Sequence, residues 1–287
     1  MPKDKSSLNE HEHHAGHAHG NEHEHHAGHA HEPEHSHARR GSILTVRACS
    51  GLSGDIIVSA LAKLADLSRE DINGLTEELK LPALKDCLRL EARSVKAIYG
   101  WGCKIILPDE HAHEHTHRNM ADIERIIQNS DFPDAAKNLS IKAFYLLAEA
   151  EGAVHGKKPE EVTFHEVGAL DSILDICLSC RIFTLLAPEY FICSPLPMAD
   201  GAIYCAHGCI PSPAPAVLRL LTGIPVRGFA GEGETVTPTA LSLLKALGAS
   251  FGSWPEFTVQ KTLISYGDKI FPGLPNGAIW ALGVRAV

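Results

Sequence analysis

The chain lacks a long uninterrupted apolar run, a basic stripe and a dense cysteine framework, and each absence removes a class of function. Its longest apolar stretch, Ile173 to Ala187, is broken by Asp175 and Arg181, which argues against a membrane span, and the opening MPKDKSSLNE has no apolar core of a signal peptide. Lys and Arg number 26 against 35 Asp and Glu, a formal net charge of -9 with His neutral. With no aromatic-spaced Lys/Arg run to meet phosphates, a nucleic-acid partner is not expected, whereas an acidic balance attracts cations. The eight cysteines are scattered singly at 49, 87, 103, 177, 180, 193, 205 and 209, which points to reduced thiols and a cytoplasmic protein. The phosphate-binding P-loop and the dinucleotide fingerprint are also missing.

What is present in excess is histidine. Residues 1 to 40 hold a tandem repeat, EHEHHAGHAH at Glu10 to His19 and again at Glu22 to His31, and a shorter tract HAHEHTH runs from His111 to His117. Sixteen of the nineteen histidines lie in these two tracts, so their placement is a signal and not a compositional accident. Almost free of large apolar side chains, the first tract cannot offset its ordering entropy by burial and is expected to be disordered. Dense neutral imidazoles bind Ni(II), Zn(II) or Cu(II) without needing a fold, so His111, His113, His115 and His117 are accessory metal candidates and the tracts read as metal-gathering elements.

At 287 residues with 44% apolar side chains the chain can bury a sizeable core, and its periodicity predicts an α/β protein. The expected organisation is a disordered His-rich tail over 1–41, a small α/β unit over 42–108, a His-rich linker over 109–118 and a larger α/β domain over 119–287. Strands are expected at Ile43–Val46, Leu88–Ala92, Tyr99–Leu107, Tyr190–Cys193, Phe257–Ile264 and Ala278–Val287. Helices are expected at Ile56–Ala65, Arg69–Leu79, Met120–Asn129, Asp134–Val154 with Gly156 as its stop, and Val167–Leu186. Two more open at Ser212-Pro213 and Thr237-Pro238 and close at Gly223 and Gly248.

Two blocks carry the chemistry: TFHEVGALDSILDI at Thr163 to Ile176 and SPLPMADGAIYCAHGCIPSPAPAVLRLL at Ser194 to Leu221. They place His165, Glu166, Asp171, Asp175, Cys205 and His207 within reach of one another if the intervening apolar segments form a single core. Asp171 and Asp175, four apart, share a helix face. They are either functional acids, or Asp171 balances the helix N-terminus while Asp175 pairs with Arg181 or Arg219. In an extended CAHG, Cys205 and His207 point the same way and suit nickel or zinc better than magnesium; the bland alternative is a buried Cys beside a hydrogen-bonded His. Cys177 and Cys180 form a CxxC inside an apolar helix with no second pair, and read as core packing. The loop SGLSGD at Ser50 to Asp55 joins a strand to a helix, where backbone N–H groups can hold a phosphate, although by pattern alone an ordinary tight connection is the better fit.

These blocks, with SGLSGD, ADIE at 121–124, LLAEAE at 146–151, VHG at 154–156, GETVTPT at 233–239 and YG at 266–267, resemble the LarC family of nickel insertion proteins over residues 43–280. The resemblance implies binding of pyridinium-3,5-bisthiocarboxylic acid mononucleotide and insertion of nickel between its two thiocarboxylates with formation of a nickel–carbon bond, a chelatase or cyclometallase of the lyase class. It implies CTP with a divalent metal as the energy source. Loosely matched to this chain, Glu166, Asp171 and Asp175 are the base candidates, His165, His207 and Cys205 the nickel ligands, and Ser53, Gly54, Asp55 and Thr237 the phosphate contacts. Three departures from the family are Arg47 where an Asp is usual, Ser265-Tyr266-Gly267-Asp268-Lys269 where GYGAG is usual, and the lack of the C-terminal domain that handles CTP. The chain is therefore expected to be one half of a split insertase working with a separate C-terminal subunit, or a metallochaperone or metal store that uses its His tracts. A homo-oligomer is expected for this architecture.

Overall fold

A computed structural model of the chain describes residues 39–108, 118–164, 169–205 and 207–285. In chain order its elements are β1 (Arg39–Ala48), α1 (Gly54–Leu64), α2 (Arg69–Glu77), β2 (Leu88–Val95), β3 (Ile98–Ile105), β4 (Arg118–Asn119), α3 (Met120–Asn129), α4 (Asp134–His155), β5 (Thr163–Phe164) and α5 (Leu170–Leu186). There follow β6 (Pro188–Cys193), β7 (Leu196–Met198), β8 (Ala202–Cys205), β9 (Gly208–Pro211), α6 (Pro215–Leu220), β10 (Val226–Gly228), α7 (Pro238–Ala246), β11 (Ser250–Phe251), β12 (Phe257–Ser265) and β13 (Ala278–Arg285). The α/β class expected from periodicity is the one observed.

Seven strands form one mixed sheet in the order β11-β6-β1-β13-β12-β3-β2. β13 lies at its centre and beside it β1 runs parallel to β6 and antiparallel to β13, while β12 runs parallel to β3. The sheet thus takes strands from both sides of the 109–118 segment. Its central strands carry Leu44, Val46 and Trp280, all fully buried, and the Trp280 indole N–H donates to Ser265 Oγ at 2.8 Å. A large buried side chain of this kind contributes roughly 1.5–3 kcal/mol by transfer alone, so β1 and β13 anchor the layer.

α5 is largely apolar, with Ile173, Leu174, Ile176, Cys177 and Cys180 all fully buried, and it packs between α1 and α4. Cys177 and Cys180 are core residues, and burial pushes the Cys180 thiol up to about 12. Arg181 pairs with Glu78 at 2.8 Å, tying α5 to the end of α2, so it is not the partner of Asp175.

Helix ends follow local chemistry. Asn119 and Asp122 form a capping box that opens α3, and Gly156 closes α4 in the left-handed conformation (φ 67°). α6 begins at Pro215, later than Ser212-Pro213, because Pro215 takes the first helical position. Arg47 donates to the Gly252 and Ser253 carbonyls at 2.7 and 3.0 Å and lies over the Trp254 ring, so its charge serves the loop after β11. No helix among the described residues is long and apolar enough to cross a membrane.

Candidate functional site

Two loops meet at the end of β1. SGLSGD leads into α1 and GETVTPT leads into α7, and they are laced by Leu52 N–H to the Thr235 carbonyl (2.9 Å) and Thr237 N–H to the Leu52 carbonyl (3.1 Å). Gly51 is required here, because a Cβ on it would overlap the Thr235 carbonyl. Arg227 in β10 clasps the start of the first loop, donating to the carbonyls of Ala48 and Cys49 at 2.9 and 2.6 Å. Two helix N-termini are thereby fixed side by side, each presenting backbone N–H groups and the positive end of its dipole.

Three recesses lie around these termini. The first, about 360 Å³, is lined by Glu151 and His155 of α4, Phe164, Ile203, Tyr204, Cys205, His207, Glu234 and Pro238. That volume is within the roughly 300–1,000 Å³ of small-molecule sites. The second, about 130 Å³, is lined by Ser50, Ser53, Glu234, Thr235, Thr237, Asp268 and Lys269. The third, about 460 Å³, is lined by Asp55, Cys103, Lys104, Asp171, Asp175 and Asp268. Glu234 is common to the first two and Asp268 to the last two, so the recesses adjoin in a row. The α7 N-terminus stands between the first and second, and the α1 N-terminus between the second and third.

Of the six residues expected at one site, the four that are described are divided. Cys205 and His207 line the first recess while Asp171 and Asp175 line the third. The aspartate face of α5 turns toward α1. His165 and Glu166 lie outside the described residues, between Phe164, a wall of the first recess, and Ala169; His111, His113, His115 and His117 also lie outside them. CAHG is not an extended segment. Cys205 pairs with Gly208 to close the β8–β9 hairpin, where Gly208 supplies φ 84°, yet the hairpin still brings Cys205 Sγ to 3.9 Å from His207 Nδ1. Among the described residues no group of three or more His, Cys, Asp or Glu side chains is already gathered tightly enough to hold a metal ion.

In the third recess Asp175 Oδ1 is buried with no hydrogen-bond partner among the described residues, and a Cβ on Gly54 would sit 2.5 Å from Asp175 Oδ2. Burial, then the nearby charges of Asp55 and Asp171, hold the Asp175 carboxyl well above its ordinary value. Asp55 is raised too, mainly by burial, against the Ser53 hydroxyl that donates to its carboxylate. Ser53 and Thr237 do meet in the second recess, where Thr237 Oγ1 also caps α7 by accepting from Ala240 N–H at 3.2 Å. Lys269 joins them. Its ammonium donates to the Glu232 and Glu234 carbonyls at 2.8 and 2.9 Å, and burial lowers its pKa.

The sequence profile of the family described as nickel insertion protein matches residues 44–282. The chain belongs to this nickel insertion protein family. A relative in Geobacter metallireducens, provisionally named a nickel insertion protein, is 38% identical over 235 residues, 82% of this chain and 59% of its own length. A pyridinium-3,5-bisthiocarboxylic acid mononucleotide nickel insertion protein of Staphylococcus epidermidis is 37% identical over 227 residues, 79% of this chain and 55% of its own. The chain spans less than two thirds of the length of these curated relatives. No solved structure matches it.

Within this nickel insertion family member, sequence reasoning missed Glu151, His155, Glu234 and Lys269. His155 left a signal, being one of only three histidines outside the two tracts. Glu234 and Lys269 sat in the GETVTPT and Ser265–Lys269 segments without a chemical pattern of their own.

Proposed function

We propose that this chain binds pyridinium-3,5-bisthiocarboxylic acid mononucleotide and inserts nickel into it. The observation that carries this reading is the row of recesses: sulfur and nitrogen donors first, a cradle of hydroxyls, helix N-termini and one cation next, and buried carboxylates last. The second recess is too small for a whole mononucleotide and suits its phosphate, with Ser53, Thr237 and Lys269 as the polar contacts and the α1 and α7 N-termini as the anion-attracting ends. Gly54 lets α1 approach α5, and Asp55 belongs with the carboxylates in this reading and not with the phosphate. Cys205 and His207, with His165, hold nickel in transit; thiolate and imidazole match the softness of that ion.

Forming the nickel–carbon bond requires the ring carbon to lose a proton, its bonding pair passing to the metal. Glu166, Asp171 and Asp175 are the acceptors in this scheme. Asp175 suits the role because burial raises its pKa, and the anion of such a carboxyl takes a proton more readily than an ordinary one. The reading includes turnover driven by CTP with a divalent ion and classes the chain as a cyclometallase.

The test is single-turnover nickel transfer to the precursor, followed by product mass, in D175N and E166A. A loss of about 10²–10⁴-fold is expected for whichever carboxylate is the base. Unchanged transfer in E166A removes Glu166 from the role, and unchanged transfer in D175N removes Asp175. A chain that binds nickel through its His tracts and never the precursor would instead be a metal carrier or store.

A further inference from the structure

Sixteen of nineteen histidines are in the two tracts, and two of the remaining three are brought together by the fold. His155, the last residue of α4, and His207, in the β8–β9 turn, stack with ring centroids 5.1 Å apart and an interplanar angle of 28°. They come from elements 52 positions apart along the chain, so a local turn does not account for the pairing. Cys205 Sγ lies 3.9 Å from His207 Nδ1. A thiolate sulfur at about 2.3 Å and an imidazole nitrogen at about 2.0 Å from one tetrahedral ion stand roughly 3.5 Å apart, so this pair is open by only a few tenths of an ångström. On the other side, His155 Nε2 is 3.4 Å from Glu151 Oε2, one turn earlier on α4. A carboxylate behind an imidazole fixes its tautomer and turns the opposite nitrogen toward a metal.

Resting on the reading that the first recess handles nickel, we propose that His155 is a further nickel ligand, joining Cys205 and His207, and that Glu151 is its positioning residue. These three side chains supply two nitrogens and one sulfur, short of the four ligands of a closed site that would retain the ion. No three of these side chains converge as placed, and the ion draws them together by side-chain rotation at a helix end and a hairpin turn. That hairpin projects outward, with Tyr204 84% exposed, so closing it does not disturb the core.

The test is Ni(II) titration of the full chain followed by thiolate-to-nickel charge-transfer absorption. The His tracts hold no cysteine, so their nickel is silent in this band, and C209S controls for the neighbouring exposed thiol. The band is expected in the wild type and in C209S and lost in C205S. H155A should weaken its apparent affinity at least 10-fold and shift the ligand-field bands, and E151Q should weaken it by about 10-fold. H155Q, which keeps a polar group at the helix end, is read in the same way should H155A fail to fold. Wild-type affinity and spectrum in the His155 variants would overturn the proposal while leaving Cys205 and His207 as ligands. Absence of the band in the wild type would overturn both the proposal and the nickel reading of the recess.

Discussion

Asp175 concentrates the electrostatic cost of this fold in one carboxyl. It sits on a helix packed between α1 and α4, its Oδ1 has no hydrogen-bond partner among the described residues, and Asp55 and Asp171 add like charge. Because its pKa in the folded chain lies above the ordinary 3.8, the native state holds the proton more tightly than the unfolded one. Stability is therefore undiminished below that value, falls as pH rises toward the folded pKa, and stays at the lower level above it. D175N cannot ionise and keeps what the wild type loses. Its melting temperature should match wild type near pH 4 and exceed it at pH 8, the gap growing by at most about 1.4 kcal/mol per pH unit. An equal offset at both pH values would contradict the assignment. The sequence placed Asp171 and Asp175 on one helix face; it could not show that the face turns to α1, because that depends on a glycine 121 positions away.

At the scale of elements that glycine is decisive. Gly54 lets the start of α1 touch α5, and a methyl group there would meet Asp175 Oδ2 at 2.5 Å and its Cβ at 2.9 Å. G54A should cost about 1–3 kcal/mol, read as a lower midpoint in urea. G74A, on the exposed face of α2 with open space around it, should instead stabilise by about 0.5–1 kcal/mol. Similar effects in both would show that the α1–α5 contact is loose. Elements with strong periodicity and caps were legible: α3 spans Met120–Asn129 as expected, and α4 stops at Gly156. The two- to four-residue strands β4, β5 and β7–β10 were not, since they are too short to show a period. The hairpin at CAHG was half legible, for Gly208 marks a turn but the pairing of Cys205 with Gly208 depends on Ala202 meeting Pro211 at its other end.

For the whole molecule, local pattern predicted an α/β protein but not a sheet order that puts β1 between β6 and β13, more than 140 and 230 residues downstream. That order is set by burial of Leu44, Val46 and Trp280, which no single window reveals. It also places the SGLSGD and GETVTPT loops together, and so makes the row of recesses from segments far apart in sequence. The candidate site was legible as a list of residue types and not as a geometry: Cys205 lies near His207 and Ser53 shares a recess with Thr237, while the carboxylates stand apart from the sulfur and imidazole. In this reading a site among the described residues, and not the histidine tracts, receives both nickel and the precursor. The most direct measurement is calorimetric titration of each into residues 36–287 carrying His111, His113, His115 and His117→Ala. Binding of the precursor, and of nickel in a manner lost in C205S with H207A, is predicted; failure of both to bind would contradict the account and leave a histidine-based metal carrier.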